Sequence, residues 1–266
     1  MVILGLVLTG LVVSLSQQLQ QRRLLDTRTA LAQANDALIA FVTANARLPC
    51  PATAASNGLE SWAGGVPGTC AAAFGFLPAV TLGLPNLDKN GLLNDGWADG
   101  SVLDNSGALS YPRAIRYSVA LLLGTAPSQN YALTTAKLGG VTRSRSTVGA
   151  ALCAYSVVTP CVTNFGLFVC RSTVGMVAAG NRCGPNPTNY LALNAVAVIW
   201  SQGPTGNDAL GRSAAENQNA LQLIPRAFVM HDPTGPAAAS GRFDDVVSWV
   251  PWGAVADKLM IAWQVQ

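Results

Sequence analysis

Side chains suited to nucleophilic or acid–base chemistry are few in this chain and are poorly placed for it. His231 is the only histidine, so it is the only ordinary general base for a serine or cysteine nucleophile. It lies in the segment Met230-His231-Asp232-Pro233, which is typical of a turn. No serine stands in a G-x-S-x-G sequence; the nearest match, residues 211–215, lacks the second glycine. We therefore expect His231 to be structural or solvent-exposed, and the protein not to be an enzyme.

Carboxylates and amides offer two further kinds of chemistry. Asp244 and Asp245 are adjacent, and neighbours on a strand point to opposite faces, so they would not flank one glycosidic bond. A second group of oxygen-bearing side chains lies beside glycine turns, as in calcium loops: Asp88, Asn90, Asn94, Asp95 and Asp99. Their spacing does not fit an EF-hand, and Asx turns explain the same residue types.

The six cysteines indicate disulfide bonds rather than a metal site. They are Cys50, Cys70, Cys153, Cys161, Cys170 and Cys183. No two form a C-x-x-C pair and His231 is distant in sequence, which disfavours zinc. An even count is typical of disulfides in an oxidising compartment, although spacing leaves the pairing open. We expect Cys50 with Cys70, which would clamp the end of the first helix to the first loop, and favour Cys153 with Cys161 and Cys170 with Cys183.

The element that comes before all these residues is a long helix. Residues 2–15 are apolar and uncharged, and an amphipathic pattern follows without a break. Its apolar stripe is formed by Leu24, Leu31 and Leu38, with Thr27, Ala34 and Val42 extending it. No glycine or proline occurs between Gly10 and Pro49, so the helix should run to about Ala46. The sequence thus divides into a helical region, 1–46, and a body, 47–266.

The apolar start favours a membrane anchor, although it is short for one. Fourteen residues reach about 21 Å, whereas a spanning helix needs roughly 20 residues. A cleaved signal peptide and a buried core helix are the alternatives, but no basic residue precedes Val2 and the segment is apolar all round. Arg22 and Arg23 would by themselves favour a cytoplasmic body, which conflicts with disulfides unless a basic leader precedes Met1.

The body should be rich in strands and turns. Only 11% of residues are charged, with 26 glycines and 15 prolines, and the net charge of +3 does not indicate nucleic-acid binding. The densest basic spot, Arg143-Ser144-Arg145, is typical of a solvated loop. Strands are predicted at the following ranges: 115–121, 165–170, 195–200, 227–230 and 245–250. We expect an α+β fold, in which the helix packs on an antiparallel sheet with long loops.

Several motifs in order resemble the type IV pilins and the pseudopilins of type II secretion. The apolar start with Gly5, the helix exit Arg47-Leu48-Pro49-Cys50-Pro51 and five later segments carry the resemblance: 76–85, 115–119, 195–203, 215–217 and 243–249. Gly5 is similar to the glycine midway along that family's apolar stretch. On this resemblance Met1 lies about nine residues inside the mature helix, and we expect in-frame DNA upstream to encode a basic leader and an apolar start containing glutamate.

The resemblance implies a structural function. The chain would be a pilin or pseudopilin subunit that assembles with other subunits through its helix, including Gly5, Leu24, Leu31 and Leu38. It would lie in the inner membrane with a periplasmic body, or in an extracellular filament. No cofactor is implied except calcium, which major pseudopilins hold near their C-terminal strands and which Asp208, Asp244 and Asp245 would bind here. The alternative is a membrane-anchored periplasmic binding protein that does not assemble.

Overall fold

The computed structural model describes residues 2–65, 70–97, 113–120, 167–172, 183–204, 227–235 and 243–255. Shorter pieces are described at 102–103, 109–110, 122–123, 129–130, 134, 217, 238 and 257–258. The side chains of residues 2–16 lie outside the described part of the chain, as do Cys153, Cys161, Asp208 and the basic spot at 143–145. The predictions made for those residues therefore remain predictions.

One helix, α1, spans Val2–Asn45, as the absence of glycine and proline after Gly10 predicts. The helix ends just before Ala46, whose φ of 51° is not helical. The Ala46 amide still donates to the Val42 carbonyl at 2.8 Å. Within the part of the chain that the structure describes, no helix is long and apolar enough to cross a membrane.

The body is built mainly on one sheet of six strands. Ten strands are described, and four of them form two small hairpins. The ten strands are β1 Phe74–Phe76, β2 Val102–Leu103, β3 Leu109–Ser110, β4 Arg116–Val119, β5 Leu122–Leu123, β6 Gln129–Asn130, β7 Leu167–Cys170, β8 Tyr190–Ser201, β9 Ala227–Val229 and β10 Val246–Pro251. The two hairpins are β2 with β3 and β5 with β6. All five predicted strands are present within a few residues of their expected positions, whereas β1 was not predicted.

Strand β8 is the centre of the sheet. Its apolar run, residues 195–200, is at most 3% exposed, which confirms the expectation of a buried central strand. Ala197 pairs with Val119 of β4 on one edge and with Val250 of β10 on the other. β7 pairs with the first half of β8, and β1 lies beside β4.

The sheet is mixed, which corrects the expectation of an antiparallel sheet. β7 and β9 run parallel, with Cys170 opposite Val229, while the other pairs are antiparallel. Because β8 is already flanked by β4, β7 and β10, β9 takes the outer edge of β7 instead. Strands β7 and β9 both run opposite to β8, and they are therefore parallel to each other. Sequence periodicity specifies the strands but not this choice of neighbour.

The helix lies on the sheet through the predicted stripe. Four of its apolar side chains are at most 2% exposed, namely Leu31, Ala34, Leu38 and Val42, and they share one core with β4, β8 and β10. Leu24 is only half-buried, so the close packing begins near Thr27. The Asn35 amide nitrogen donates to the Ser248 hydroxyl of β10, which adds a polar contact within this apolar interface.

Candidate functional site

The exit from the helix is held by an arginine between two aromatic rings. The Arg47 guanidinium lies 5.0 Å from the ring centres of both Phe41 and Trp62. Its two terminal nitrogens each donate to one oxygen of Glu60, and the Cys50 amide makes a third hydrogen bond to this carboxylate at 3.1 Å. Both charged side chains are only 15% exposed, so the pair is shielded from water.

Two further links fix the same junction. A disulfide joins Cys50 to Cys70, which confirms the predicted clamp between helix exit and first loop. The buried Tyr117 hydroxyl of β4 donates to the Pro49 carbonyl at 3.0 Å, and burial raises the pKa of this phenol well above its ordinary value. Cys170 is bonded to Cys183, as predicted, at the far end of β7.

A second attachment lies near the start of the docked half of the helix. The Gly96 amide donates to the Thr27 hydroxyl at 2.9 Å, and that hydroxyl donates to the Arg23 carbonyl at 2.8 Å. A Cβ on Gly96 would lie 2.1 Å from the Arg23 carbonyl oxygen, so only glycine permits this approach. The Arg23 guanidinium lies 5.7 Å from the ring centre of Trp97, on the outer side of the contact.

The neighbouring Asp95 ties this attachment to the end of β8. Its carboxylate, 4% exposed, accepts hydrogen bonds from the Ser201 hydroxyl at 2.5 Å and from the Trp97 amide at 3.0 Å. Burial raises the pKa of Asp95 to about 6, although both hydrogen bonds and the Arg113 charge favour its ionised form. The buried Asp95 carboxylate therefore joins this loop to the end of β8, next to the contact of Gly96 with the helix.

The Asx turns expected of the acidic segment are present at two positions. Asp88 accepts from the amides of Asn90 and Leu92, both at 2.8 Å, and Asp95 accepts from the amide two residues on. These carboxylate oxygens are therefore used within their own turns. Asp99 lies outside the described residues.

Of the three residues expected to bind calcium, Asp244 and Asp245 are described and Asp208 is not. Asp245 is 6% exposed and accepts from the Asn217 amide at 2.7 Å, just before β10 begins, and Asp244 is its neighbour in the chain. The Arg113 guanidinium donates to the carbonyls of Gly203 and Pro204, at the start of the loop that leads to Asp208. Among the described residues, no three His, Cys, Asp or Glu side chains are grouped to hold a metal.

A groove of about 720 Å³ runs between α1 and the body. Its helix wall includes Leu24, Arg28 and Ala32, and its opposite walls include Arg171, Leu191, the segment 230–233 and the start of β10. His231 lies in this wall, with its ring centre 3.9 Å from that of Phe243.

The exposed face of α1, described from residue 17 onward, is polar apart from two leucines and three alanines, Ala32, Ala40 and Ala44. Leu25 is 59% exposed and Leu19 is 48% exposed. The other described side chains from Gln17 to Arg22 are also exposed, and the described contacts with the body begin at Arg23. A helix face of this kind is available to another polypeptide.

The sequence indicated some of these residues and missed others. The helix stripe and both described disulfides were predicted, and Thr27 was placed correctly on the stripe. The ion pair of Arg47 with Glu60 and the buried role of Asp95 were not predicted. The only local signals for them were a basic residue two positions before Pro49 and a carboxylate followed by glycine, which are common at ordinary turns.

Comparisons with protein-family models, with curated proteins and with solved structures found no match for this chain.

Proposed function

We propose that this protein is a structural subunit of a filament, of the type IV pilin or pseudopilin kind, and that it assembles through α1. The observation that supports this most directly is the division of one continuous helix. Its second half is buried on the sheet along the stripe from Thr27 to Val42, while the described side chains before Leu24 are exposed. Residues 2–22 alone would extend about 31 Å, and the described side chains among them, residues 17–22, are all exposed.

The junction residues suit a subunit that carries mechanical load. Arg47 with Glu60, the Cys50–Cys70 disulfide and the Tyr117 hydrogen bond hold the helix exit, while Thr27 and Gly96 hold the start of the docked half. A helix fixed near both ends of its docked half transmits a pull to the body without peeling away. On this proposal residues 2–15 lie in the inner membrane before assembly and in the filament core afterwards, where a helix satisfies its own backbone groups.

Photo-cross-linking in cells tests the proposal. A p-benzoylphenylalanine residue would replace Leu25, which is 59% exposed on the helix, and in a matched control Leu59, which is 50% exposed on a loop of the body. We expect irradiation to give a ladder of cross-linked copies, or adducts with related subunits, from position 25 and mainly monomer from position 59. Monomer from both positions would contradict assembly through the helix.

The groove favours one other candidate, an anchored binding protein that does not assemble. Its volume lies within the usual range for ligand pockets, and it combines aliphatic and charged walls. This candidate predicts no ladder from position 25 but retained ligand binding in the groove. The two proposals are therefore separated by the cross-linking experiment alone.

A further inference from the structure

Asp95 is a buried carboxylate with no ion-pair partner among the described residues. Its two oxygens accept from the Ser201 hydroxyl and from the Trp97 amide, which are both neutral donors. The Arg113 guanidinium, whose charge acts on this carboxylate, donates instead to two backbone carbonyls of the loop after β8. A carboxylate that is 4% exposed and bonded only to neutral groups is costly to ionise.

The other described charges around this loop do not offset the burial of Asp95. On the helix side, Arg23 and Asp26 are both exposed. Beyond the end of β8, Asp244 lies beside the loop that follows. These two aspartates have the same sign as an ionised Asp95, so they do not favour its charge. Burial outweighs the Arg113 charge and the two hydrogen bonds, and it raises the pKa of Asp95 to about 6.

The two residues that follow Asp95 attach the body to the helix. The Gly96 amide donates to the Thr27 hydroxyl. Because the Asp95 carboxylate accepts from the Trp97 amide, it closes the turn that presents Gly96 to the helix. We refer to Thr27, Gly96 and Trp97 as the latch. The next fully buried residue of the helix stripe is Leu31, so an open latch leaves the helix docked only from there onward.

We propose that Asp95 makes the latch sensitive to pH, so that it stays closed while the carboxyl is protonated and opens more often once the carboxyl is ionised. The contact with Ser201 exists in either state, because the protonated carboxyl donates to the hydroxyl oxygen and the ionised one accepts from the hydroxyl. The two states differ in the buried charge, which reaches water only when the loop opens. The proposal does not rest on the filament role, since a body that never assembles would still release this part of the helix.

Amide hydrogen exchange tests the proposal, measured by NMR on the full chain in detergent micelles and corrected for the intrinsic effect of pH on exchange. The Gly96 amide reports the latch, because its hydrogen bond to Thr27 breaks on opening. A pKa of about 6 in the closed latch, against the ordinary value of 3.8 in the open one, predicts an about tenfold loss of Gly96 protection between pH 5 and pH 8. Equal protection at the two pH values would overturn the proposal.

A urea series separates opening of the latch from unfolding of the whole protein. Local opening exposes little surface, so we expect Gly96 exchange at pH 8 to be nearly independent of urea at low concentration, whereas exchange of the buried β8 amides accelerates with urea. If Gly96 exchange rose with urea as steeply as that of β8, the pH effect would belong to global unfolding and the latch would not open by itself.

Matched variants identify the titrating group. Asp95→Asn keeps a side-chain oxygen for the Trp97 amide but cannot ionise, so Gly96 protection should become equal at pH 5 and pH 8. Asp88→Asn changes the carboxylate of the other Asx turn, which accepts from the amides of Asn90 and Leu92, and it should keep the tenfold difference. A tenfold difference that survives in Asp95→Asn, or is lost in Asp88→Asn, would show that another group controls the latch.

Discussion

Arg47 and Glu60 pair in parallel, with Nη1 and Nη2 of the arginine each 2.8 Å from a different carboxylate oxygen. This geometry fixes the chain where it leaves α1, because the same carboxylate also accepts from the Cys50 amide. A bidentate pair that is shielded from water should stabilise the fold more than an ordinary surface pair.

Removing either partner of this pair should destabilise the protein, and the two effects should not add. We expect Arg47→Met and Glu60→Gln to show a coupling energy of about 1–2 kcal/mol in a double-mutant cycle measured by urea unfolding. Arg47→Lys is the control, because it keeps the charge but loses the parallel geometry and part of the stacking on Phe41 and Trp62. A coupling energy near zero would show that the pair is only a surface contact.

Gly58 should tolerate no side chain, whereas Gly83, in a neighbouring turn, should tolerate one at a smaller cost. A Cβ on Gly58 would lie 1.9 Å from the Gly91 carbonyl oxygen, and Gly58 has a φ of +71°. Gly83 has a similar φ of +67° but nothing within 4 Å of its Cβ position. We expect Gly58→Ala to cost about 3 kcal/mol or more and Gly83→Ala roughly 1 kcal/mol, measured as free energies of unfolding. Equal losses of unfolding free energy in the two variants would show that backbone strain alone causes the effect.

The fold could be predicted from the sequence where local patterns specify it. The seven-residue repeat of Leu31 and Leu38 predicts the buried stripe, and the apolar run in β8 predicts the central strand. Contacts such as Asp95 with Ser201, which are 106 residues apart, leave no local pattern. The same is true of the parallel pairing of β7 with β9, because the choice of neighbour depends on which sheet edges remain free.

Stability should depend on pH through Asp95. The pKa of Asp95 is about 6 in the folded protein, whereas its ordinary value is 3.8. Between these two pH values the folded protein keeps the Asp95 carboxyl protonated, and the unfolded chain does not. The stabilisation is therefore fully present below pH 3.8 and is lost as pH rises through about 6, by roughly 2–3 kcal/mol. We expect Asp95→Asn to remove this component from urea unfolding curves measured between pH 4 and pH 7. Parallel pH profiles for the two proteins would contradict the assignment.

The two described disulfides should each stabilise the body. They close loops with sequence separations of 20 and 13 residues, for which chain entropy gives about 3 kcal/mol each. We expect the paired replacements Cys50→Ala with Cys70→Ala, and Cys170→Ala with Cys183→Ala, to lower the Tm, and dithiothreitol to have a smaller effect on each variant than on the original protein. Loss of the first pair should also increase proteolysis near Pro49, because that bond holds the helix exit. Unchanged Tm values would show that the rest of the fold holds these loops without the bonds.

Leucine-to-alanine substitutions along α1 should report where the helix is docked. Leu38 is fully buried, Leu24 is half-buried and Leu19 is 48% exposed, although all three lie on the same continuous helix. Because the cost of such a substitution follows the buried volume that is removed, we expect losses of about 3 kcal/mol at Leu38, roughly 1 kcal/mol at Leu24 and close to zero at Leu19. Helix propensity changes equally at the three positions, so it cannot produce this gradient. A large loss at Leu19 in the monomer would mean that the first half of the helix also packs on the body, and it would leave that half unavailable for assembly.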